Sequence, residues 1–529
     1  MSDRLRRLGA AFERAGYTVG GVRALVGPVA GAALARDEIV PALRATAGGS
    51  PLEALTRLFL LQVPVPSPAG GFAEELVAAG LAEESGGEVR ALLRVEPVES
   101  VDPPGKAAGK AAEAGAGGAA VPADGDAGHR GYVVSDLRVR PGSGGTVRPD
   151  HVVGAGGASA SLARLAVHRP VDNVLDLGTG CGVQVLHLAH RARRITATDV
   201  NPRALDLAAM SAALSGVGNV EFAEGPLLEP VAGRRFDLIV SNPPFVIAPP
   251  DAGPRYVYRE SGLPGDEFCR RLVAEAPALL EEGGQCRLLA NWLQVRGVPW
   301  EERLGGWLEG SGCDGWVVRR DVQDPAEYAE LWLRDSCEAG TPEYRARYEA
   351  WLDYFERHDV TGVGFGWIVL RRSGAGGPAV RVEELRHAVE EPVGAYVDAV
   401  LDGLAAAGEF STGCGQGDVS GRRLRTADGV VQEQIGPPGA EDPARIVLRQ
   451  TDRLRRAAGV GTVDAALAGV CDGTLPLGPL LDAIAQLTGL DAEDVRAHAR
   501  GVLPELIADG FFELLPEDDE TVETDGNGA

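Results

Sequence analysis

Between residues 171 and 372, short apolar runs alternate with helical stretches, and this alternation restricts the possible fold more than any other feature. Seven runs are typical of strands: VDNVLDLG, RITATD, VEFAEG, FDLIVSN, CRLLANWL, GWVVRRD and GFGWIVLRR. A repeated strand–helix order predicts a mostly parallel sheet with helices on both faces. The predicted fold class of this part of the chain is therefore α/β.

The first of these strands ends in the loop DLGTGCG, residues 176–182. Its three glycines at alternate positions let the backbone turn sharply and approach a ligand, and the helical stretch that follows points its amino end at the bound group. Dinucleotide sites carry G-x-G-x-x-G instead, and here Asp176 stands two residues before the first glycine. A carboxylate at that place would repel a pyrophosphate and suits a cationic ligand with an amino group.

Two further strands end in residues that could complete a site at the same edge of the sheet. RITATD closes on Asp199, which can accept hydrogen bonds from both hydroxyls of a ribose, and Asn201 with Pro202 then begins a helix. FDLIVSN runs into Asn242, two prolines and Phe245, and the prolines end the strand because neither can donate to a sheet ladder. Ligands bind at the carboxyl ends of strands in open α/β sheets, so these residues predict one site.

DLGTGCG, the acid of ATDVNPRAL and SNPPF resemble the motifs of a class I S-adenosylmethionine-dependent methyltransferase, which has a Rossmann-like domain. SNPPF is similar to the (N/D/S)-P-P-(Y/F/W) signature of enzymes that methylate an amino or amide nitrogen. These include HemK/PrmC-type release-factor glutamine methyltransferases and the rRNA guanine-N2 and adenine-N6 enzymes. The resemblance covers roughly residues 131–372.

The resemblance implies S-adenosylmethionine as the cofactor. The family carries Gly-Asp-Leu after the third strand, and that acid holds the adenine amino group. Pro226 stands at this place here, so Glu224 or backbone atoms would hold the adenine instead. The cofactor-binding residues that follow from the resemblance are Asp176, Gly178, Thr179, Gly180, Gly182, Asp199, Glu224 and Asn242.

The catalytic residues implied by the resemblance are Asn242, Pro243, Pro244 and Phe245. An amide or an exocyclic amine is a poor nucleophile because its lone pair is delocalised. The side-chain carbonyl of Asn242 and the backbone carbonyl of Pro243 would accept both of its N–H groups, and Phe245 would offer a face for a planar group. Alignment of nitrogen, methyl and sulfur would then supply most of the rate gain.

Three hypotheses remain for the function of the chain. The first is methylation of a protein glutamine side chain, as in release factors. The second is methylation of an exocyclic amine of an RNA or DNA base, such as rRNA guanine N2 or adenine N6, which winged-helix-like flanks and NPPF rather than NPPY favour. The third is a non-catalytic binding module, which the retention of Asp176, Asp199 and Asn242 argues against. The expected partner is a macromolecular methyl acceptor, with no membrane and no metal.

Shifts in composition divide the chain into five predicted segments. The segments are a winged-helix-like domain at 1–97, a flexible linker at 98–130, the methyltransferase domain at 131–373, a C-terminal α+β, winged-helix-like domain at 374–515, and an acidic disordered tail at 516–529.

Three stretches outside the motifs flank the predicted site. GAGGAS, residues 154–159, is expected to lead into the helix before the first strand. Residues 256–268 are interpreted as either a substrate loop or a plain surface connection. The aromatic helical insertion between the sixth and seventh strands is expected to pack into the core rather than to stack on bases.

Composition narrows the cellular setting. The net charge of −25 disfavours a protein whose whole surface binds nucleic acid. The seven cysteines are scattered without a CxxC pair, which fits a reducing compartment. No apolar run reaches the length of a spanning helix, and the first residues lack the pattern of a signal peptide. The expected location is the cytoplasm.

Overall fold

The computed structural model describes most of the chain, in ten stretches. These are residues 1–67, 72–99, 130–139, 147–166, 169–249, 256–335, 342–373, 378–413, 419–439 and 443–515. The predicted linker is described only at its two ends, and the predicted acidic tail lies outside the described residues. The chain divides into two compact units, one made of Met1–Arg372 with Val382–Arg386 and one made of Ser373–Arg381 with His387–Ala529.

The N-terminal part of the first unit is a group of helices followed by a small antiparallel sheet. Its helices are α1 (Ser2–Arg14), α2 (Val19–Leu34), α3 (Val40–Ala45), α4 (Pro51–Leu55) and α5 (Phe72–Ala78). Its strands are β1 (Val65–Pro66), β2 (Ala82–Ser85), β3 (Glu88–Ala91) and β4 (Arg94–Glu99). Strand β3 pairs antiparallel with both β1 and β2. The winged-helix-like character of residues 1–97 stays a prediction.

The central part alternates strands and helices, as the hydrophobic pattern predicts. Its strands are β5 (Arg130–Ser135), β6 (Val171–Leu177), β7 (Ala192–Asp199), β8 (Val220–Glu224), β9 (Phe236–Ser241), β10 (Leu280–Val295), β11 (Cys313–Gln323), β12 (Val360–Arg372) and β13 (Val380–Glu384). Its helices are α6 (Gly157–Leu165), α7 (Val183–Leu188), α8 (Pro202–Leu214), α9 (Glu267–Glu275), α10 (Trp300–Leu308), α11 (Pro325–Asp335) and α12 (Pro342–Arg357).

The large sheet has the strand order β13-β11-β12-β10-β9-β6-β7-β8. Five neighbouring strands, from β10 to β8, run parallel, whereas β12 is antiparallel to both β10 and β11. The chain leaves β6 toward β7 on one side and returns to β9 on the other. This reversal between β6 and β9 is a topological switch point, where open α/β sheets form ligand crevices. The mostly parallel α/β prediction is confirmed.

Strand β13 is an addition to the seven predicted strands. It lies at the edge of the sheet beside β11, although its sequence follows the predicted domain boundary at residue 373. Its five residues are exposed or half-buried, as expected for an edge strand with little to bury. A short run with few apolar residues gives a weak hydrophobic signal, so the sequence pattern does not predict this strand.

The N-terminal helices and the central part share one hydrophobic core. Leu5, Leu8 and Phe12 of α1 belong to the same buried cluster as Leu207 and Leu214 of α8. Helices α1 and α8 cross closely at Gly9, because a Cβ atom added there would lie 1.9 Å from the carbonyl oxygen of Leu214. The N-terminal part therefore supports the helix that follows Asp199.

The second unit has its own core and its own sheets. Its helices are α13 (Gly394–Gly413), α14 (Thr462–Val470), α15 (Leu477–Thr488) and α16 (Ala492–Ala508). Its strands are β14 (Leu424–Thr426), β15 (Val430–Ile435), β16 (Arg445–Gln450), β17 (Ala457–Val460) and β18 (Phe512–Leu514). Phe410, Leu448, Leu481 and Leu503 are among the residues that fill its core.

Within the described residues, no single helix is both long and apolar enough to cross a membrane. Helices α1 and α2, which are bent by 47° with respect to each other, reach that length and composition only as a pair.

Candidate functional site

The residues predicted to form the site follow one continuous row of paired strand residues. Ser241 of β9 pairs with Leu177 of β6, and Leu177 pairs with Thr198 of β7. The next residues along these strands are Asn242, Gly178 and Asp199. The register therefore brings the three motifs to neighbouring positions at the carboxyl edge of the sheet. The hydroxyl group of Ser241 also donates to the carbonyl of Leu177, at 2.9 Å, across the switch point.

The glycine loop after β6 depends on backbone conformations that favour glycine. Gly178, Gly180 and Gly182 have φ angles of 72°, 54° and 83°. A Cβ atom added at Gly178 or Gly180 would meet no atom within 4 Å, so the loop faces open space there, whereas one at Gly182 would lie 3.2 Å from the Cβ of Ala208 in α8. The first two glycines thus leave room along the loop, and the third allows α7 to pack against α8.

Asp176 lies beneath this loop and is only 1 % exposed. Its Oδ2 accepts the hydroxyl proton of Thr179 at 2.6 Å, which ties the strand end to the loop. Burial raises the pKa of the Asp176 carboxyl to about 7, and the nearby charge of Asp199 adds to the effect. In the protein without a ligand, this carboxyl is therefore partly protonated and partly ionised near neutral pH.

Asp199 holds two backbone segments with its two carboxylate oxygens. Oδ2 accepts the N–H of Gly180 and Oδ1 accepts the N–H of Asn201, each at 2.9 Å. Burial raises the pKa of this carboxyl, and hydrogen bonds from the backbone of Asn201, Gly180 and Val200 oppose that rise. Each oxygen keeps a second lone pair, so ribose hydroxyl groups could still bind.

Glu224 lies opposite Asp199 in the register of β8 with β7, and its side chain is exposed. The turn that follows contains two unusual backbone conformations, φ 152° at Gly225 and φ 47° at Leu227. The N–H of Gly225 donates to the carbonyl of Asp199 at 3.1 Å. The turn around Pro226 is thus fixed beside Asp199, where a ligand on Asp199 would meet its backbone.

The side-chain carbonyl of Asn242 is, like the hydroxyl oxygen of Thr198, an unusual polar group of the site. Its Oδ1 atom is buried and has no hydrogen-bond partner among the residues that the structure describes. Buried polar atoms are paired in the great majority of cases, so such an acceptor needs an explanation. One residue later, the carbonyl of Pro243 accepts the N–H of Phe245 at 2.8 Å, which tightens the turn and leaves that oxygen one free lone pair.

Phe245 is half-buried and is held on two sides. It forms an antiparallel bridge with Glu260, and its ring meets the ring of Trp332 edge-on, with centroids 6.4 Å apart. The following residue, Val246, donates its N–H to the carbonyl of Arg259 at 2.9 Å. The segment after the two prolines is therefore fixed by residues 259 and 260. Pro244, between these residues, is half-buried.

Two further groups at the site are not predicted individually by the sequence motifs. Arg259 and Glu260 form a buried ion pair at 3.0 Å, in which Arg259 is 3 % exposed and Glu260 is 6 % exposed. The hydroxyl oxygen of Tyr328, in the aromatic insertion, accepts the N–H of Ile247 and the side-chain amide of Asn291 at 3.0 and 3.1 Å. A buried charge pair inside a polar stretch such as RESG has no periodic signature, so only the structure exposes it.

The flanking stretches also have defined positions. GAGGAS leads into α6, as predicted, and the aromatic residues of α11 and α12 pack in a core with Val246 and Ile247, which confirms the core-packing interpretation. In the described part of the chain, no group of three or more His, Cys, Asp or Glu residues is arranged to hold a metal ion.

Comparison with known families identifies the class of the central part. Residues 156–296 match the family model described as the methyltransferase small domain. The strand order and the aligned motifs of the central part agree with this match, as the resemblance implies. Residues 14–92 match a second model, a domain of unknown function named DUF7059.

The curated relatives narrow the comparison. The chain is 41% identical over 143 residues to the release factor glutamine methyltransferase of Deinococcus radiodurans, covering 25% of this chain and 51% of that protein. It is 29% identical over 167 residues to the ribosomal protein uL3 glutamine methyltransferase of Bradyrhizobium diazoefficiens, covering 29% and 52%. The chain thus spans about half the length of these relatives.

Solved structures are more distant in sequence. YcgJ from Bacillus subtilis is 13% identical, with a TM-score of 0.29, and the match covers 41% of this chain and 98% of that one. A methyltransferase from Pyrococcus furiosus is 16% identical, with a TM-score of 0.24, and the match covers 45% and 90%.

Proposed function

We propose that this protein is an S-adenosylmethionine-dependent N-methyltransferase whose acceptor is the side-chain amide of a glutamine in a protein. The observation that carries the proposal is the side-chain oxygen of Asn242 at the switch point of the sheet. This Oδ1 atom is buried and has no hydrogen-bond partner among the described residues. Because no donor of the described chain binds this oxygen, it is suited to accept a hydrogen bond from an N–H group of the substrate.

The residues beside Asn242 fit the cofactor. S-adenosylmethionine carries a methyl group on a positively charged sulfur, from which a nucleophile can take it. Gly178 and Gly180 leave open space along the loop, and Asp176 places a carboxyl beneath that space, where it can pair with the amino group of the ligand. Asp199 keeps lone pairs for ribose hydroxyl groups. The adenine would lie against Glu224 or the backbone of the turn at Pro226.

Asn242 and Pro243 would prepare the acceptor nitrogen. Their two carbonyl oxygens can accept both N–H groups of a primary amide, and this pairing reduces conjugation of its lone pair. Because the carbonyl of Pro243 already accepts the N–H of Phe245, its position is fixed before the acceptor arrives. Pro244 stiffens the same turn, and the ring of Phe245 offers a flat surface to the amide plane. No strong base is required, since the nitrogen becomes acidic once methylated.

The names of the curated relatives support a glutamine acceptor over a nucleic acid base. The net charge of −25 is compatible with that choice. The described cysteines at 181, 269, 286, 313 and 471 are buried and form no disulfide, which supports the cytoplasmic location that is part of the proposal.

The test is transfer of radiolabelled methyl groups into an extract from a source strain that lacks this protein. Label that protease releases and ribonuclease does not would support the proposal, and mass spectrometry should then find a methylated glutamine. Label released by ribonuclease alone would replace the glutamine with an RNA base.

Asn242→Ala is the matched control for this experiment. It should abolish transfer and leave the cofactor affinity, measured by calorimetry, nearly unchanged. If the cofactor affinity collapses as well, Asn242 supports the fold rather than the acceptor. If the wild-type protein transfers no more label than this variant, the proposed reaction is wrong for macromolecular acceptors.

A further inference from the structure

A short segment, residues 147–153, lies between the two halves of the candidate site, and we call it the strap. On the cofactor side, the carbonyl of Asp150 accepts the side-chain amide of Asn201 at 3.0 Å. The carbonyl of Val153 accepts the thiol of Cys181, in the glycine loop, at 3.1 Å. The strap thus contacts both cofactor motifs through its backbone.

The strap is also anchored to the end of β5. The Oδ2 of Asp136 accepts the N–H of Val152 at 2.9 Å, and the same carboxylate forms an ion pair with Arg203 of α8. His151 approaches this carboxylate at 3.7 Å. Only 11 % of the Asp136 side chain is exposed, so the anchor is shielded from solvent.

On the other side, the strap contacts the segment that holds Phe245. The carbonyl of Pro149 accepts the N–H of Val257 at 3.2 Å. The rings of His151 and Tyr258 meet edge-on, with centroids 6.3 Å apart. Residues 259 and 260 then pair with Val246 and Phe245, as described above. A continuous set of contacts therefore runs from Asp199 to Phe245.

We infer that the strap couples the two halves of the site, and that Asn201 is the positioning residue that starts this coupling. Asn201 donates its backbone N–H to Asp199 and its side-chain amide to Asp150. A ligand that fixes Asp199 therefore restrains the strap, and the strap restrains residues 257–260 and the acceptor segment. Binding of the cofactor prepares the acceptor pocket. This inference rests on the proposed function, because it requires a cofactor at Asp199.

Coupling of this kind needs a physical path and a differential effect on the second site. The path consists of hydrogen bonds and ring contacts between described residues. The differential effect is a loss of backbone motion at Val246 and Val257, whose N–H groups donate to Arg259 and Pro149. Both groups are measurable by hydrogen exchange without any knowledge of the acceptor.

The test uses the full chain with S-adenosylhomocysteine as the probe. Hydrogen–deuterium exchange is measured in peptides that cover residues 243–249 and 256–262, with and without the probe. In the wild-type protein, the probe should slow exchange in both peptides by about fivefold or more, the lower end of common coupling factors.

Asn201→Ser separates the coupling from the fold. Serine keeps an N-cap oxygen for α8 but cannot carry the amide that reaches Asp150. The variant should bind the probe within about threefold of wild type and lose the protection of both peptides. Asn219→Ser is the matched control, because it removes an amide that donates to the carbonyls of Ala189 and Ala192, away from the strap. It should keep the protection.

Each other outcome has one meaning. If the wild-type protein binds the probe and neither peptide is protected, the coupling is wrong and the proposed function stands. If the wild-type protein does not bind the probe, the proposed function and the coupling both fail. Full protection in Asn201→Ser overturns the role of Asn201. If that variant does not fold, Asn201→Asp, which also keeps a capping oxygen and lacks the donor, decides the question by the same measurement.

Discussion

The carboxylate of Asp199 accepts the N–H of Gly180 at 2.9 Å, so the acid that ends β7 also holds the turn that follows β6. Binding of the cofactor is the predicted role of Asp199. Here the same side chain organises the loop beside it before any ligand binds, and its second oxygen positions the N-terminus of α8 through Asn201. Asp199 is therefore expected to act on the cofactor both directly and through the loop.

Asp199→Asn should weaken cofactor binding more than the loss of one ribose contact would. The amide group can accept at only one atom, so either Gly180 or Asn201 loses the partner of its N–H. An unpaired N–H of this kind costs about 1–3 kcal/mol, and we expect the cofactor dissociation constant to rise by about 10- to 100-fold. Calorimetric titration measures it. Asp206→Asn, an exposed acid on α8, makes the same charge change and should leave the affinity unchanged. Equal affinities for all three proteins would remove Asp199 from the cofactor site.

The raised pKa of Asp176 predicts that cofactor binding depends on pH. Burial raises the pKa of this carboxyl from 3.8 to about 7, and a cationic cofactor favours the ionised form. The affinity should therefore rise between about pH 5 and about pH 7 and level off above that, by at most about tenfold per pH unit. Calorimetry across this range measures the effect, and Asp176→Asn should bind more weakly, with a shallower dependence on pH. If the variant shows the same slope, the pH dependence of the affinity belongs to another group.

The same pKa makes an opposite prediction for stability. The unfolded carboxyl has its ordinary pKa, so between about pH 4 and about pH 7 the folded chain binds more protons than the unfolded chain. The free energy of unfolding that depends on Asp176 therefore falls as the pH rises through this window, and does not change above it. Urea unfolding should show that Asp176→Asn gains stability relative to wild type as the pH rises from about 5 to about 7. A constant difference would contradict the raised pKa.

The sequence predicted the site best where a glycine or a polar residue directly ends a predicted strand. Gly178, Asp199 and Asn242 follow apolar runs directly, and because parallel strands end at one edge, their proximity follows from the alternation alone. The order of the strands depends on the crossover connections. The alternation alone therefore does not predict that β6 lies beside β9. The roles of these residues in binding and catalysis remain predictions.

The partners that hold the site could not be predicted, for a physical reason. Tyr328 lies 81 residues from Ile247, yet its hydroxyl group accepts the N–H of that residue. A long-range pairing of this kind depends on how the insertion packs over the sheet, and periodicity reports only which face of a helix is apolar. The contact of Gly9 with Leu214 is hidden in the same way, since a glycine in a helix has many explanations.

Tyr328→Phe should impair the acceptor side of the site and spare the cofactor side. It removes the oxygen that pairs with Ile247 and Asn291 and leaves two buried donors unpaired, at a cost of about 1–3 kcal/mol for each donor in the free energy of unfolding. Methyl transfer should fall several-fold, while the cofactor affinity should stay near that of wild type. Tyr348→Phe is the matched control, because its hydroxyl group donates to Glu330 at the rim of the same insertion. A larger effect in the control would mean that the insertion supports the site through its surface.

Gly9→Ala should show that the N-terminal part stabilises the cofactor site. The added methyl group would lie 1.9 Å from the carbonyl oxygen of Leu214, so α1 and α8 must move apart, and such overpacking typically costs about 1–3 kcal/mol. Because α8 begins beside Asp199, we also expect weaker cofactor binding. Gly31→Ala is the control: a methyl group there meets no atom within 4 Å, and alanine favours a helix by up to about 1 kcal/mol. Thermal unfolding and cofactor titration of both variants test this. If the two variants are equally stable, α1 and α8 can move apart without cost. The N-terminal part would then have no role in supporting the site.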